Sequence, residues 1–132
     1  PWIPGPDPGG LPFKSCAPDG QYRLIPYTRR NGDECFKLIN EELGVFATET
    51  DMRANGSGRY DILAHSANFV HQLVGCIAPG LARTLMTNNT TNSMERTVGS
   101  SREAIRLMLG LLSPREEHVV VIRPRLGAGG VE

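Results

Sequence analysis

The chain has 132 residues, of which 39% are hydrophobic and 21% are charged, as is usual for a single globular domain and unusual for a disordered chain. Fourteen basic residues balance fourteen acidic ones, so no net charge attracts nucleic acid or an anionic membrane surface. No apolar run reaches the roughly 18 residues of a membrane span, and no signal peptide opens the chain. These properties disfavour large polyanion binders and membrane-spanning proteins.

The first half of the chain predicts strands. Residues 1–20 are rich in proline and glycine, which predicts an extended lead-in. Residues 21–27 alternate polar with apolar side chains, as a strand does, and residues 35–39 predict a second strand. Between them, Asn31 and Gly32 predict a hairpin turn, because both tolerate the positive φ of a primed turn. Residues 43–48 predict a third strand.

The second half adds one helix to this pattern. We predict loops over residues 52–58 and 88–93, a mostly apolar central strand over 59–65 and a buried strand over 118–123. Ser100 and Glu103 form a capping-box pattern at the start of the helix, and Pro114 ends it. The apolar face of the helix comprises Ala104, Ile105, Leu107, Met108, Leu111 and Leu112. Residues 127–132 read as a flexible tail. The predicted fold class is therefore a single mainly β (α+β) domain with one packed helix in its C-terminal half.

The cysteines leave two interpretations open. Cys16, Cys35 and Cys76 cannot all pair within one chain, so a secreted protein would keep one free thiol and a reducing compartment would keep three. Each thiol is either a small buried hydrophobic group or a group that does chemistry. His65, His71 and Cys76 lie close in sequence, but a structural zinc site normally needs four ligands. No nucleotide-binding glycine motif occurs, and we predict neither a metal nor a cofactor.

The most informative segment joins a histidine to a cysteine. His65 ends the predicted strand 59–65, and Cys76 follows Gly75 after a short irregular stretch. A loop of this length lets the imidazole lie beside the thiol and lower its pKa. Gly75 would leave the sulfur open to substrate, and nearby backbone N–H groups would hold an oxyanion. The alternative is a buried structural cysteine and a histidine at a strand end.

The sequence around these residues resembles a known pattern. The run H-x-x-N-x(6)-G-C-I-x-x-G, from His65 to Gly80, is similar to a small family common in bacteriophages and prophages, whose members contain a domain of unknown function. That family is distantly similar to YkuD-type L,D-transpeptidase catalytic domains. Further resemblance covers nearly the whole chain: Pro1-Trp2, the run from Ser15 to Leu24, the strand from Ile62 to His65, and Ser101, Ala104 and Leu107 in the helix.

The resemblance implies an L,D-transpeptidase-like β-sandwich or barrel that acts on peptidoglycan stem peptides. By position, Cys76 would be the nucleophile, His65 the base and Gly75 part of the oxyanion hole. Asn68 would orient His65 or the substrate. His71 is an additional imidazole that would either replace His65 as the base or face solvent. The implied reaction passes an acyl group through a Cys76 thioester to an amine or to water.

The sequence also departs from the transpeptidase pattern. Ala78 replaces the arginine two residues after the cysteine, and Val74 replaces the serine two residues before it. The small family usually has an acidic residue at Gln72 and a glycine at Ala67. The alternative function is therefore a binding or virion-associated module that keeps the fold without turnover.

The resemblance also bears on the start of the chain and on where in the cell the protein would act. Members of the small family carry a strand before the Pro-Trp dipeptide, whereas this chain begins at Pro1. A missing strand would leave a sheet edge that another chain could complete. A peptidoglycan substrate would place the site of action in the periplasm or cell wall, reached through a holin, a virion or host lysis.

Overall fold

A computed structural model describes residues 16–68, 73, 75–113 and 115–123. This part of the chain is mainly β, consistent with an α+β class. Its strands are β1 (Gly20–Thr28), β2 (Glu34–Ile39), β3 (Val45–Phe46), β4 (Arg59–Tyr60), β5 (Leu63–Ala64), β6 (Ala82–Asn88), β7 (Ser93–Gly99) and β8 (His118–Ile122). Its helices are a short 3₁₀ helix (Glu41–Leu43), α1 (Glu49–Asn55) and α2 (Ser101–Leu111). No described helix is long and apolar enough to cross a membrane.

The largest sheet has the strand order β5-β2-β1-β8, and each neighbouring pair is antiparallel. Side chains alternate between the two faces of a strand. One face of this sheet packs into the hydrophobic core, to which α2 adds Met108, Leu109 and Leu112. The buried side chains on this face include Tyr22, Leu24, Phe36, Leu38 and Ala64.

The N-terminal hairpin confirms the strands predicted over 21–27 and 35–39. The turn at Asn31-Gly32 is also present, closed by Arg29 N–H donating to the Asp33 carbonyl at 2.8 Å. Gly32 has a φ of 91°, whereas Asn31 is not among the residues of positive φ, so the turn is not the primed type predicted. A glycine in the left-handed region fits a longer loop with a bulge.

The loop predicted over residues 52–58 is wrong for the first four of these residues. Residues 52–58 were expected to form a loop, but α1 occupies much of that segment. The Thr48 hydroxyl caps this helix by accepting from Asp51 N–H, and Arg53 pairs with Glu49 one turn earlier at 2.6 Å. These local interactions support a helix that has no buried residue, so hydrophobic periodicity did not reveal it.

The strand predicted over residues 59–65 is divided. Asp61 has a φ of 53°, which breaks the extended backbone between β4 and β5. β4 pairs in parallel with β3, whereas β5 pairs with β2. The predicted third strand over 43–48 shortens to β3, because the 3₁₀ helix and Gly44 precede it.

The loop predicted over residues 88–93 is the tip of a hairpin that the sequence pattern did not reveal. β6 and β7 pair in register from Ala82↔Gly99 to Asn88↔Ser93. Their apolar side chains are largely exposed, with Leu85 at 62% and Met94 at 61%. The strands therefore lack the apolar face by which strands are usually recognised.

The C-terminal elements are present but less buried than predicted. α2 confirms the helix, although Ser100 has a φ of 56° and makes no side-chain cap hydrogen bond, so the capping box is wrong. Leu107 and Leu111 are exposed rather than part of the packed face. β8 confirms the last strand, but Val119 and Val121 are each 50% exposed, so the strand is only half-buried. Pro114, residues 1–15 of the lead-in and the tail over 127–132 lie outside the described residues.

Candidate active site

The second face of the large sheet carries the candidate site. The pairing Tyr27↔Cys35 joins β1 to β2, and the pairing Phe36↔Ala64 joins β2 to β5. Continuing the second register by one residue places Cys35 opposite His65. The row Tyr27, Cys35 and His65 therefore crosses three strands on the face opposite Phe36 and Ala64.

A short parallel bridge brings Cys76 to the same face. Ala64 pairs with Ile77, His65 N–H donates to the Ile77 carbonyl at 3.0 Å, and Ile77 N–H donates to the Leu63 carbonyl at 2.9 Å. Since Ala64 and Ile77 both point to the core face, Cys76 points to the face of Leu63 and His65. The backbone before Cys76 requires a glycine here, because Gly75 is buried and has a φ of 84°.

Ser101 holds the two chain segments of the site together. Its side chain, only 3% exposed, donates to the Pro79 carbonyl at 2.6 Å and accepts from Ala67 N–H at 3.0 Å. One contact fixes the segment that follows Cys76, and the other fixes the segment that follows His65. The Asn68 amide also anchors this second segment by donating to the Val98 carbonyl of β7 at 2.7 Å.

The His65 imidazole is arranged to accept a proton at Nε2. Its Nδ1 lies 3.0 Å from the Ser66 carbonyl, and since a carbonyl only accepts, Nδ1 carries the hydrogen. Burial to 6% exposure lowers the pKa of His65 below its ordinary value, with the Ser66 hydrogen bond opposing the effect. The neutral ring therefore presents an unprotonated Nε2.

The Cys76 thiol is protonated in the resting site. Burial raises the pKa of the Cys76 thiol, while the hydrogen bond from Leu63 N–H and the charges of Arg29 and Arg59 partly counter the rise. Leu63 N–H donates to Sγ at 3.3 Å, and Sγ lies 3.7 Å from the Asp61 carbonyl as donor. Within the described residues, the hydrogen-bond partners of this thiol are backbone groups and not the His65 imidazole.

A cavity of about 610 Å³ opens onto both groups. His65 and Cys76 contribute to its wall together with apolar and aromatic side chains such as Met52 and Tyr60. Its volume lies in the range of small-molecule and short-peptide sites. Its charged lining residues are Arg29, Arg30, Arg59, Glu49 and Asp61.

The predicted site residues thus have different locations. His65 and Cys76 line one cavity, Gly75 shapes the backbone beside the thiol, and Asn68 contacts β7. His71 lies outside the described residues. Among the residues that the structure describes, no three His, Cys, Asp or Glu side chains group as a metal site would require.

Two neighbours of the site, Cys35 and Arg29, are not among the predicted site residues. Cys35 lies opposite His65, but it is fully buried, and burial raises its pKa to about 11. Arg29 lines the cavity and directly follows β1, where alternation continued by one residue puts it on the face of Ile25 and Tyr27. That alternation is visible in the sequence, but the cavity that Arg29 faces is formed by distant segments.

Comparison of the chain with models of known protein families, with curated proteins and with solved structures finds no match.

Proposed function

We propose that the protein is a cysteine-dependent acyl-transfer enzyme that acts on peptidoglycan stem peptides, as a transpeptidase or a peptidase. The carrying observation is that the Cys76 thiol and the His65 imidazole, whose Nε2 is available as a base, line the same peptide-sized cavity. The resemblance of the segment from His65 to Gly80 supports the substrate class and an L,D-transpeptidase-like fold.

In the proposed reaction, His65 Nε2 takes the thiol proton as Cys76 Sγ attacks the carbonyl carbon of a substrate amide. The carbonyl electrons form an oxyanion, which backbone N–H groups beside Gly75 would stabilise. The C–N bond then breaks, and His65 returns the proton to the departing amine. The resulting thioester reacts with an acceptor amine or with water, which forms the new bond and restores the thiol.

Purified sacculi provide the direct test. Wild-type protein, Cys76→Ala and Cys35→Ala are each incubated with sacculi, and the muropeptides are analysed by mass spectrometry. We expect a new released or rejoined species with wild type and Cys35→Ala, and none with Cys76→Ala. Cys35 is the matched control, because its thiol lies opposite His65 but is sealed from the cavity. If no folded protein produces a new species, the enzyme proposal is wrong.

The alternative is a non-catalytic binding or virion-associated module. Two observations favour it: burial raises the Cys76 pKa, and the thiol bonds to backbone groups. Ala78 also favours it. The bridge between Ala64 and Ile77, continued by one residue, places Ala78 beside His65, where the transpeptidases have an arginine. This alternative predicts that stem peptides bind equally well to wild type and Cys76→Ala, without conversion.

The proposed substrate places the protein at the cell wall or in the periplasm, in a phage-related lytic or wall-modifying role. Completion of the sheet by a strand from another chain stays a prediction. β8 is an end strand of the described sheet, and its Val119 and Val121 are half-exposed.

A further inference from the structure

The charges around the cavity are unequally compensated. Its two acidic residues have cationic partners: Asp61 pairs with Lys37 at 3.2 Å, and Glu49 pairs with Arg53 at 2.6 Å. In contrast, the side chains of Arg29 and Arg30 form no ion pair or hydrogen bond with the part of the chain that the structure describes. The cavity mouth therefore carries positive charge that the fold leaves available to a ligand.

The position of Arg29 is suited to a ligand that also reaches the thiol. Arg29 directly follows the last residue of β1 and is half-buried, whereas Arg30 is exposed in the turn. The charge of Arg29 acts on both Cys76 and His65, so the guanidinium lies within electrostatic range of both. A guanidinium recognises a carboxylate with two parallel hydrogen bonds.

The rest of the cavity selects the kind of anion. A volume of about 610 Å³ is far larger than an inorganic ion needs. Tyr60, Met52 and Leu63 add aromatic and apolar surface to the same cavity. Such a lining fits small side chains and a peptide backbone better than it fits a free phosphate.

We propose that Arg29, assisted by Arg30, binds the terminal carboxylate of a short peptide whose backbone lies across the cavity toward Cys76. The direction of the peptide rests on the proposed function, in which Cys76 attacks an amide. The carboxylate contact itself requires no turnover. The substrate carboxylate would then be recognised at the turn between β1 and β2. This turn lies on the β2 side of His65, whereas Ala78 lies on the other side.

The test measures binding in a Cys76→Ala background, in which no thioester forms. N-acetyl-dialanine with a free carboxylate, in its L and D forms, is titrated by NMR, and the tighter isomer is compared with its carboxamide and with inorganic phosphate. We expect the carboxylate to bind roughly tenfold more tightly than the carboxamide, the scale of one charge-assisted contact. Equal binding of the two peptides would overturn the proposal, as would phosphate binding as tightly as the peptide.

Variants then locate the contact. Arg29→Gln should weaken binding of the carboxylate roughly tenfold without weakening the carboxamide, and Arg29→Lys should recover part of the loss because it keeps the charge but not the planar fork. Arg106→Gln is the matched control, since it removes an exposed arginine of α2 that pairs with Glu103. Its effect should stay within about twofold, because salt screens distant charges. Equal losses in Arg29→Gln and Arg106→Gln would refute the assignment.

The two proposals fail separately. If binding depends on Arg29 but sacculi are unchanged, the enzyme proposal is wrong and the carboxylate site stands. If sacculi are converted but the carboxamide binds as well as the carboxylate, the carboxylate-site proposal is wrong and the enzyme proposal stands. The comparison of carboxylate with carboxamide needs no variant of Arg29, so it remains decisive even if Arg29→Gln fails to fold.

Discussion

Ser101→Ala tests how much the Ser101 hydroxyl adds to the backbone bridge between the two segments of the site. The substitution removes the hydrogen bonds to Ala67 N–H and to the Pro79 carbonyl. Ala67 is 8% exposed, so its N–H loses its partner without gaining water, at a cost of about 1–3 kcal/mol. Pro79 is half-buried, so water replaces part of its lost bond, and the further cost is up to about 1 kcal/mol. The free energy of unfolding should therefore fall by about 1–4 kcal/mol in total.

Urea denaturation at neutral pH measures this difference, with Ser100→Ala as the control. Ser100 precedes Ser101, is exposed and makes no side-chain cap hydrogen bond. Its replacement should change the free energy of unfolding by less than about 0.5 kcal/mol. A loss below about 0.5 kcal/mol in Ser101→Ala would refute the reasoning, because it would mean that neither backbone group depends on the hydroxyl.

Three further predictions concern the thiol, the imidazole and the turn beside them. Cys76 should alkylate with an apparent pKa above the ordinary value for cysteine, because burial raises its pKa; mass spectrometry of iodoacetamide-treated protein across pH checks this, and rapid labelling at pH 7 would contradict it. Burial lowers the pKa of His65 from its ordinary 6.5, so the unfolded chain binds a proton at this residue more readily than the folded chain. The free energy of unfolding should therefore fall as pH drops below about 6.5. Urea denaturation at several pH values should show a weaker fall in His65→Gln, and an equal fall in both proteins would contradict the prediction. Gly75→Ala should destabilise the protein by about 1–2 kcal/mol, because its φ of 84° is unfavourable for alanine. The control Gly110→Ala lies in α2 with open space at its Cβ position and should stabilise by up to about 1 kcal/mol in thermal unfolding; the opposite order would refute the backbone argument.

Elements that follow a simple hydrophobic pattern could be predicted from the sequence. β1 alternates because one of its faces lies in the core, whereas β2 is a mostly apolar strand with four of its six residues buried. α2 is recognisable from its apolar residues. α1 depends instead on a threonine cap and an exposed ion pair, and β6 and β7 pair through backbone hydrogen bonds while their apolar side chains stay exposed. Neither kind of stabilisation produces hydrophobic periodicity.

Part of the candidate site could likewise be predicted from the sequence, and part depends on contacts between distant segments. The spacing of His65 and Cys76 suggested that they meet, and both line one cavity. Their protonation states could not be predicted, because burial by distant segments lowers one pKa and raises the other. Arg29 was missed because its relation to the site depends on the register of β2 with β5 rather than on its distance along the chain.

The resting protonation states have a consequence for the proposed chemistry. A neutral imidazole and a protonated thiol have no charge to lose when a ligand excludes water, so closing the cavity does not oppose them through desolvation. The thiolate and the imidazolium are needed only during attack. The positive charge of Arg29 partly opposes the rise in the Cys76 pKa that burial causes. A substrate carboxylate bound to Arg29 would neutralise that charge. Ligand binding should therefore raise the Cys76 pKa further, unless the substrate carbonyl takes up the negative charge as it forms. Under the proposed function, Cys76 would attack a bound amide, while its raised pKa would slow its reaction with small alkylating reagents. This combination would distinguish an acyl-transfer site from a redox-active thiol.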